Sequence, residues 1–273
     1  MLAYGFGQRA LIGGILIGIT CATLSFFVVT RRLAFVGMGI SHAAFGGVAI
    51  GIVSGLNPVL TAGVFCVLTA LFIGWLTRKG KIYEDTAIGI LFSAAMAGGV
   101  LLVRLANAYN LDLMSYLFGS ILALSWADVI ILAVMSCLVL LFLVFFFKEI
   151  LFFIFDEETA TASGVPVRFV YYGLLLSLAI TIVISIKLVG IILVSAMLVI
   201  PSATGMQTSR NYRFVIIVSL IVSVLSVITG LYLSSRFDLV SGASIVLVLF
   251  GIFLISLIFS PRRKYVLRVF KKE

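Results

Sequence analysis

The sequence predicts an all-α, multi-pass membrane bundle, on three observations. Hydrophobic residues fill 63% of the 273 positions and charged residues 11%, with a mean hydropathy of +1.32. A soluble chain is about half apolar and about a quarter charged. The apolar residues form continuous runs without the period of two that a barrel strand needs. The basic residues gather in short clusters between those runs.

At roughly 20 apolar residues per crossing, the chain has room for about eight to ten spans. Hydropathy and polar punctuation place nine, at approximately 10–30, 33–55, 58–77, 85–105, 127–147, 168–187, 188–206, 213–233 and 239–260. Pro58 opens the third, where a missing N–H costs nothing. Only Lys187 and Gly190 separate the sixth from the seventh.

Charge then sets the orientation. With Arg31 and Arg32 in the cytoplasm, the same side receives Arg78, Lys79, Lys81, Lys148, Arg168, Arg210, Arg213 and the basic tail 261–273. That makes 15 basic residues against 4 outside, namely Arg9, Arg104, Lys187 and Arg236. The bias predicts an N-out, C-in topology. Residues 1–260 form a single transmembrane domain, because the longest polar stretches, 106–120 and 148–167, are too short to be domains. The net charge of +9 is a topology signal and not a nucleic-acid footprint. Cys21, Cys66 and Cys137 lack metal or disulfide spacing and read as small core residues. Arg9 leads into a long apolar run with no small-residue cleavage pattern, so no cleavable signal is expected.

Polar groups are costly inside a span, so the few present stand out. His42, the only histidine, lies in the second span, with Met38 one turn before it and Gly46 one turn after. The small residues Gly39, Ser41, Ala43, Gly46 and Gly47 around it permit close helix contact or leave room for a pathway. An imidazole and a thioether on one face suit a passing soft or borderline metal ion. A neutral histidine bonded to a neighbouring helix fits the same spacing, and both readings stay open. Elsewhere, Asp156, Glu157 and Glu158 start a short helix-forming run that Gly164 and Pro166 stop, either a docking knob on a basic face or a solvated loop. Glu84 and Asp85 sit at the start of the fourth span as ordinary first-turn acids. The stretch Asp112–Ser120 is too short for a span and is expected to re-enter from the outer side or act as a lid. No GxxxxGK[ST], HExxH or GxSxG occurs, which leaves no nucleotide hydrolysis or hydrolase chemistry to assign.

Five stretches, in order, carry a resemblance. They are Arg31–Gly51 with Ser41-His42-Ala43, then Glu84-Asp85-Thr86-Ala87-Ile88-Gly89-Ile90, then Leu117-Phe118-Gly119-Ser120-Ile121-Leu122, then Asp156-Glu157-Glu158-Thr159-Ala160 through Gly164, and finally Val189-Gly190 with Leu193 to Pro201. Together they resemble the permeases of metal-type ABC importers, the membrane subunits of bacterial zinc, manganese and iron uptake systems. The resemblance implies a type II importer-like permease domain in the bacterial cytoplasmic membrane, working as a homodimer. It implies a cytoplasmic ATP-binding subunit docked on 148–167, through Asp156, Glu157, Glu158, Thr159, Ala160 and Gly164. An extracytoplasmic metal-binding protein would deliver the ion. The chain itself would be no enzyme and hold no cofactor, with ATP on the partner subunit. The resemblance also lines the pathway with His42, Met38, Ser41 and Gly46. Many members carry an aspartate four residues before the histidine, where this chain has Met38. A thioether in place of a carboxylate favours zinc over manganese. A cobalamin- or siderophore-type importer is the alternative within this architecture, and a stand-alone channel or membrane enzyme lies outside it.

Overall fold

A computed structural model describes residues 5–80, 83–105, 113–120 and 124–260. Among them no strand occurs, and eight helices are long and apolar enough to cross a membrane. They are α1 (Gly5–Thr30), α2 (Ala34–Val53), α3 (Pro58–Lys79), α4 (Glu84–Leu105), α6 (Trp126–Phe145), α9 (Val167–Val189), α12 (Tyr212–Phe237) and α13 (Ser241–Ile258). Shorter helices fill the gaps: α5 (Leu113–Phe118), α7 (Phe147–Phe155), α8 (Glu157–Ala162), α10 (Ile191–Met197) and α11 (Ile200–Thr208). The basic tail 261–273 and all of 106–112 lie outside the described residues.

The seventh predicted span, 188–206, is not a continuous helix. Gly190 ends α9 with φ 89° and ψ 158°, a backbone region open essentially to glycine alone. Pro201 then prevents α10 from running into α11, since it has no N–H and its ring would collide with the carbonyl four residues back. Within a bilayer the freed backbone groups need partners. Ser25 of α1 supplies both: its hydroxyl donates to the Val199 carbonyl at 3.4 Å and accepts from the Ser202 amide at 3.2 Å.

The broken pair still crosses the bundle. Ser241, at the start of α13, donates to the Leu188 carbonyl at 3.3 Å, while Ser260, just past its end, donates to the Gln207 carbonyl at 3.0 Å. The stretch from Leu188 to Gln207 therefore joins the same two levels that α13 joins. Among the described residues the chain makes eight continuous crossings and one broken one, so the two ends of that span lie on opposite faces.

Helices α1, α2 and α9 form the buried centre, and α3, α4, α6 and α13 turn most of their surface outward to lipid or to a partner. Small residues permit the tight centre: at Gly47 a side chain would strike the Ala62 backbone of α3. Several hydroxyls inside the spans are satisfied locally, as Thr181 and Ser185 donate to carbonyls four residues earlier, each at 2.7 Å, whereas the buried Ser41 and Ser136 hydroxyls meet no protein partner. Cys21 and Cys66 are buried as expected, whereas Cys137 lies exposed on α6, so it is not a core residue.

Candidate functional site

Two places hold the site residues expected from sequence, one on α2 and one on the inner face. Along α2, Phe35 and Met38 are open at 57% and 40% exposure, and His42 continues the same stripe half-buried. The His42 Nδ1 lies 2.8 Å from the Met38 carbonyl oxygen. A carbonyl only accepts, so Nδ1 carries the proton and the lone pair of a neutral ring sits on Nε2. Metal-binding histidines are commonly oriented by this kind of backbone bond. Phe92 of α4 holds the ring edge-on, with centroids 5.0 Å apart at 90°.

The other predicted lining residues are placed differently. Ser41 is fully buried, and Gly46 packs on α4, where a side chain would come 2.9 Å from the Ala95 carbonyl. Helix α4 instead contributes an outward row at every fourth residue: Asp85, Gly89, Ser93 and Ala97 are all exposed. A row this polar and small is ill suited to lipid contact. Sequence reading missed it because Ser93 carries no charge, although the spacing from Asp85 was available. Among the described residues no group of three or more His, Cys, Asp or Glu is placed to hold a metal ion. The α2 stripe can therefore touch a passing ion but cannot enclose one with four ligands.

On the inner face, the acidic segment meets the basic one. Glu157, in the first turn of α8, accepts from Arg31 at 2.5 Å and from Arg78 at 2.9 Å, using both carboxylate oxygens. Arg31 lies 4.4 Å above the Phe153 ring and Arg78 4.5 Å above that of Tyr171. The Tyr171 hydroxyl donates to Glu84 at 2.8 Å, so Glu84 ties α4 to α9 as well as starting its helix. This network joins the α1–α2 turn, the end of α3, the start of α4, α8 and α9. The 148–167 segment thus shares a face with Arg31 and Arg78.

Asp156 caps α8, accepting from the Thr159 hydroxyl at 2.5 Å and from its amide at 3.0 Å. These bonds, the hydroxyl's first, hold its carboxyl below the usual carboxylate range. A depressed native pKa means the cap is fully present above the ordinary carboxylate pKa and is lost only as pH falls through the lowered value. Ala160 is buried and Glu157 is occupied by its arginines, so of the predicted docking residues Asp156, Glu158, Thr159 and Gly164 remain on the surface. Phe155 lies beside them at 74% exposure, an apolar side chain left open on this surface.

Comparison with known proteins decides the class. The description "ABC 3 transport family" matches residues 3–260. The chain belongs to that family. A manganese transport system membrane protein, MntC of Halalkalibacterium halodurans, is 36% identical over 271 residues, covering 99% of this chain and 93% of that protein. The high-affinity zinc uptake system membrane protein ZnuB of Haemophilus influenzae is 34% identical over 248 residues, covering 91% and 95%. Among solved structures, PsaBC from Streptococcus pneumoniae in complex with Fab is similar at 35% identity with a TM-score of 0.85, covering 96% of this chain and 95% of that one. A metal-chelate type ABC transporter in an inward-facing conformation, 18% identical with a TM-score of 0.74, shares the fold. The chain is thus an ABC 3 family permease of a metal-type importer, a multi-pass protein of the bacterial inner membrane.

Proposed function

We propose that this ABC 3 family permease forms half of a homodimeric importer of divalent transition-metal ions, driven by ATP hydrolysis on a separate cytoplasmic subunit. The observation that carries the reading is the Arg31–Glu157–Arg78 clamp. It connects the exposed α8 surface to the turn that starts α2, three residues before the helix bearing Met38 and His42. A push on α8 by a docked ATPase would reach the α2 stripe through that clamp. The open rows of α2 and α4 supply the wall that a second permease completes, and an extracytoplasmic metal-binding protein loads the outer mouth.

Zinc is the favoured ion. Met38 and His42 offer sulfur and imidazole where manganese prefers carboxylate and carbonyl oxygen. A second reading, manganese, is favoured by the names of several relatives. The test is uptake into proteoliposomes holding the complete transporter, with zinc and manganese competing at equal concentration. Faster zinc uptake supports the first reading and faster manganese uptake the second. Uptake of neither ion, with turnover stimulated by an organic chelate, would overturn both.

Replacing the ring removes the Nε2 donor. His42→Ala is expected to slow metal uptake about tenfold or more, the scale of losing a ligand interaction, with dimer assembly and ATPase binding unchanged by co-purification. Undiminished uptake would make His42 a packing residue. At the inner surface, Glu158→Lys is expected to weaken ATPase association about tenfold. Titration of the purified ATPase onto the permease in nanodiscs measures this, and unaltered affinity would remove Glu158 from the contact.

A further inference from the structure

Away from the α2 and α4 rows, the outward face of α3 carries two apolar grooves on either side of one ridge. The ridge is the row Leu60, Val64 and Leu68, at 69%, 64% and 59% exposure. The first groove, a cavity of about 490 Å³, lies between α3, α6 and α9, with Gly63 and Val183 in its lining. The second, about 420 Å³, lies between the ridge and the end of α2 near Ile50 and Phe65. Asn57 borders both. Neither groove belongs to the metal pathway or the docking surface.

We propose that the paired grooves hold one two-chained glycerophospholipid of the outer leaflet, an acyl chain in each, with its phosphate at Lys187 and Asn57. Three observations carry this. The grooves run from the outer rim to mid-membrane: Asp128 to Met135 is about 10 Å of helix and Asn57 to Leu68 about 16 Å, close to half of a hydrocarbon core about 30 Å thick. Their two volumes are nearly equal and flank a single row of side chains. A packed helix about 10 Å wide would rest on that ridge and leave both grooves empty, whereas two thin chains fill them.

The third observation is charge at the mouth. Lys187 donates to Asp128 Oδ1 at 2.6 Å and lines the first groove. An ammonium has three donors, so two remain for a phosphate. Asn57 spends its oxygen on the Val59 and Leu60 amides, which leaves its NH₂ as a donor. Because Asp128 cancels the lysine's charge, the mouth is neutral overall and matches a zwitterionic headgroup better than an anionic one.

The test is native mass spectrometry of the full chain, taken from nanodiscs containing equal phosphoethanolamine and phosphoglycerol lipids. The wild type is expected to keep one phosphoethanolamine lipid per chain. Gly63→Leu, whose side chain enters the first groove past Val183, is expected to cut the lipid-bound fraction about tenfold, the loss that follows from displacing about two buried methylenes. Ile217→Trp, exposed on α12 and away from both grooves, should leave the lipid in place. If Gly63→Leu does not fold, Val183→Trp fills the same space. Equal lipid retention by wild type and groove-filled variants overturns the site, and preferential retention of phosphoglycerol lipid overturns the headgroup assignment. Val64→Cys in a Cys137→Ser background that cross-links two copies would assign the face to a second chain and overturn the proposal.

Discussion

Glu157→Gln is expected to leave α8 folded and docked yet reduce ATP-driven uptake about tenfold. The glutamine keeps the shape of the side chain and removes the charge that holds two guanidiniums together. Arg31 and Arg78 then face each other without a counter-ion, each still anchored over its aromatic ring. Breaking a fully buried pair costs about 3–5 kcal/mol. Here the Glu157 side chain is 37% exposed and the arginines 28% and 26%. Solvent screening therefore brings the loss to about 1–2 kcal/mol, a factor of about ten in the attachment of α8 to the α1–α2 turn. The Asp156 cap does not depend on Glu157, so the helix itself persists. ATPase binding and ATP hydrolysis measured beside uptake separate the outcomes. Uptake falling with hydrolysis preserved supports transmission through the clamp, and unchanged uptake refutes it.

Gly190→Ala is expected to be among the most damaging single methyls in the chain. At φ 89° and ψ 158° an L-residue is strained. The added Cβ would also overlap the Leu117 carbonyl and the Gly119 amide. Gly119, itself at φ 79°, belongs to the segment whose Ser120 amide donates to the Lys187 carbonyl at 2.9 Å. Relief on one side therefore presses on the other. A loss of about 3 kcal/mol or more is expected, seen as a lower thermal midpoint in detergent. Gly251→Ala, in open space on α13, is the control, and exchanging its glycine for a better helix former should stabilise by about 0.5–1 kcal/mol. An unchanged midpoint for Gly190→Ala would mean that the α9–α10 turn is not held by this backbone contact.

Much of this protein follows from quantities that each residue carries locally. Transfer into lipid is a per-residue property, so eight of nine spans are legible from hydropathy, and the lysine and arginine clusters orient them without any knowledge of packing. The Asp156–Gly164 segment is legible for the same reason, since acids followed by Gly164 and Pro166 start and stop a helix wherever it lies. Partnership is different, because it couples residues far apart along the chain. Arg31 and Glu157 are 126 positions apart, and Ser25 meets Val199 across 174. No local pattern reveals that one acid of the 156–158 run is consumed as a tie, that Ala160 turns inward, or that Gly46 is spent on α4. The break at Gly190 and Pro201 was visible as two residues, but its tolerance in a membrane depends on a serine from another helix. From its order of residues alone the chain is read as lipid-solvated, with the basic clusters assigning a side to each loop. Tertiary structure alone decided which of those polar groups face each other, because hydrogen bonds and ion pairs depend on the separation of atoms in space and not on their order in the chain.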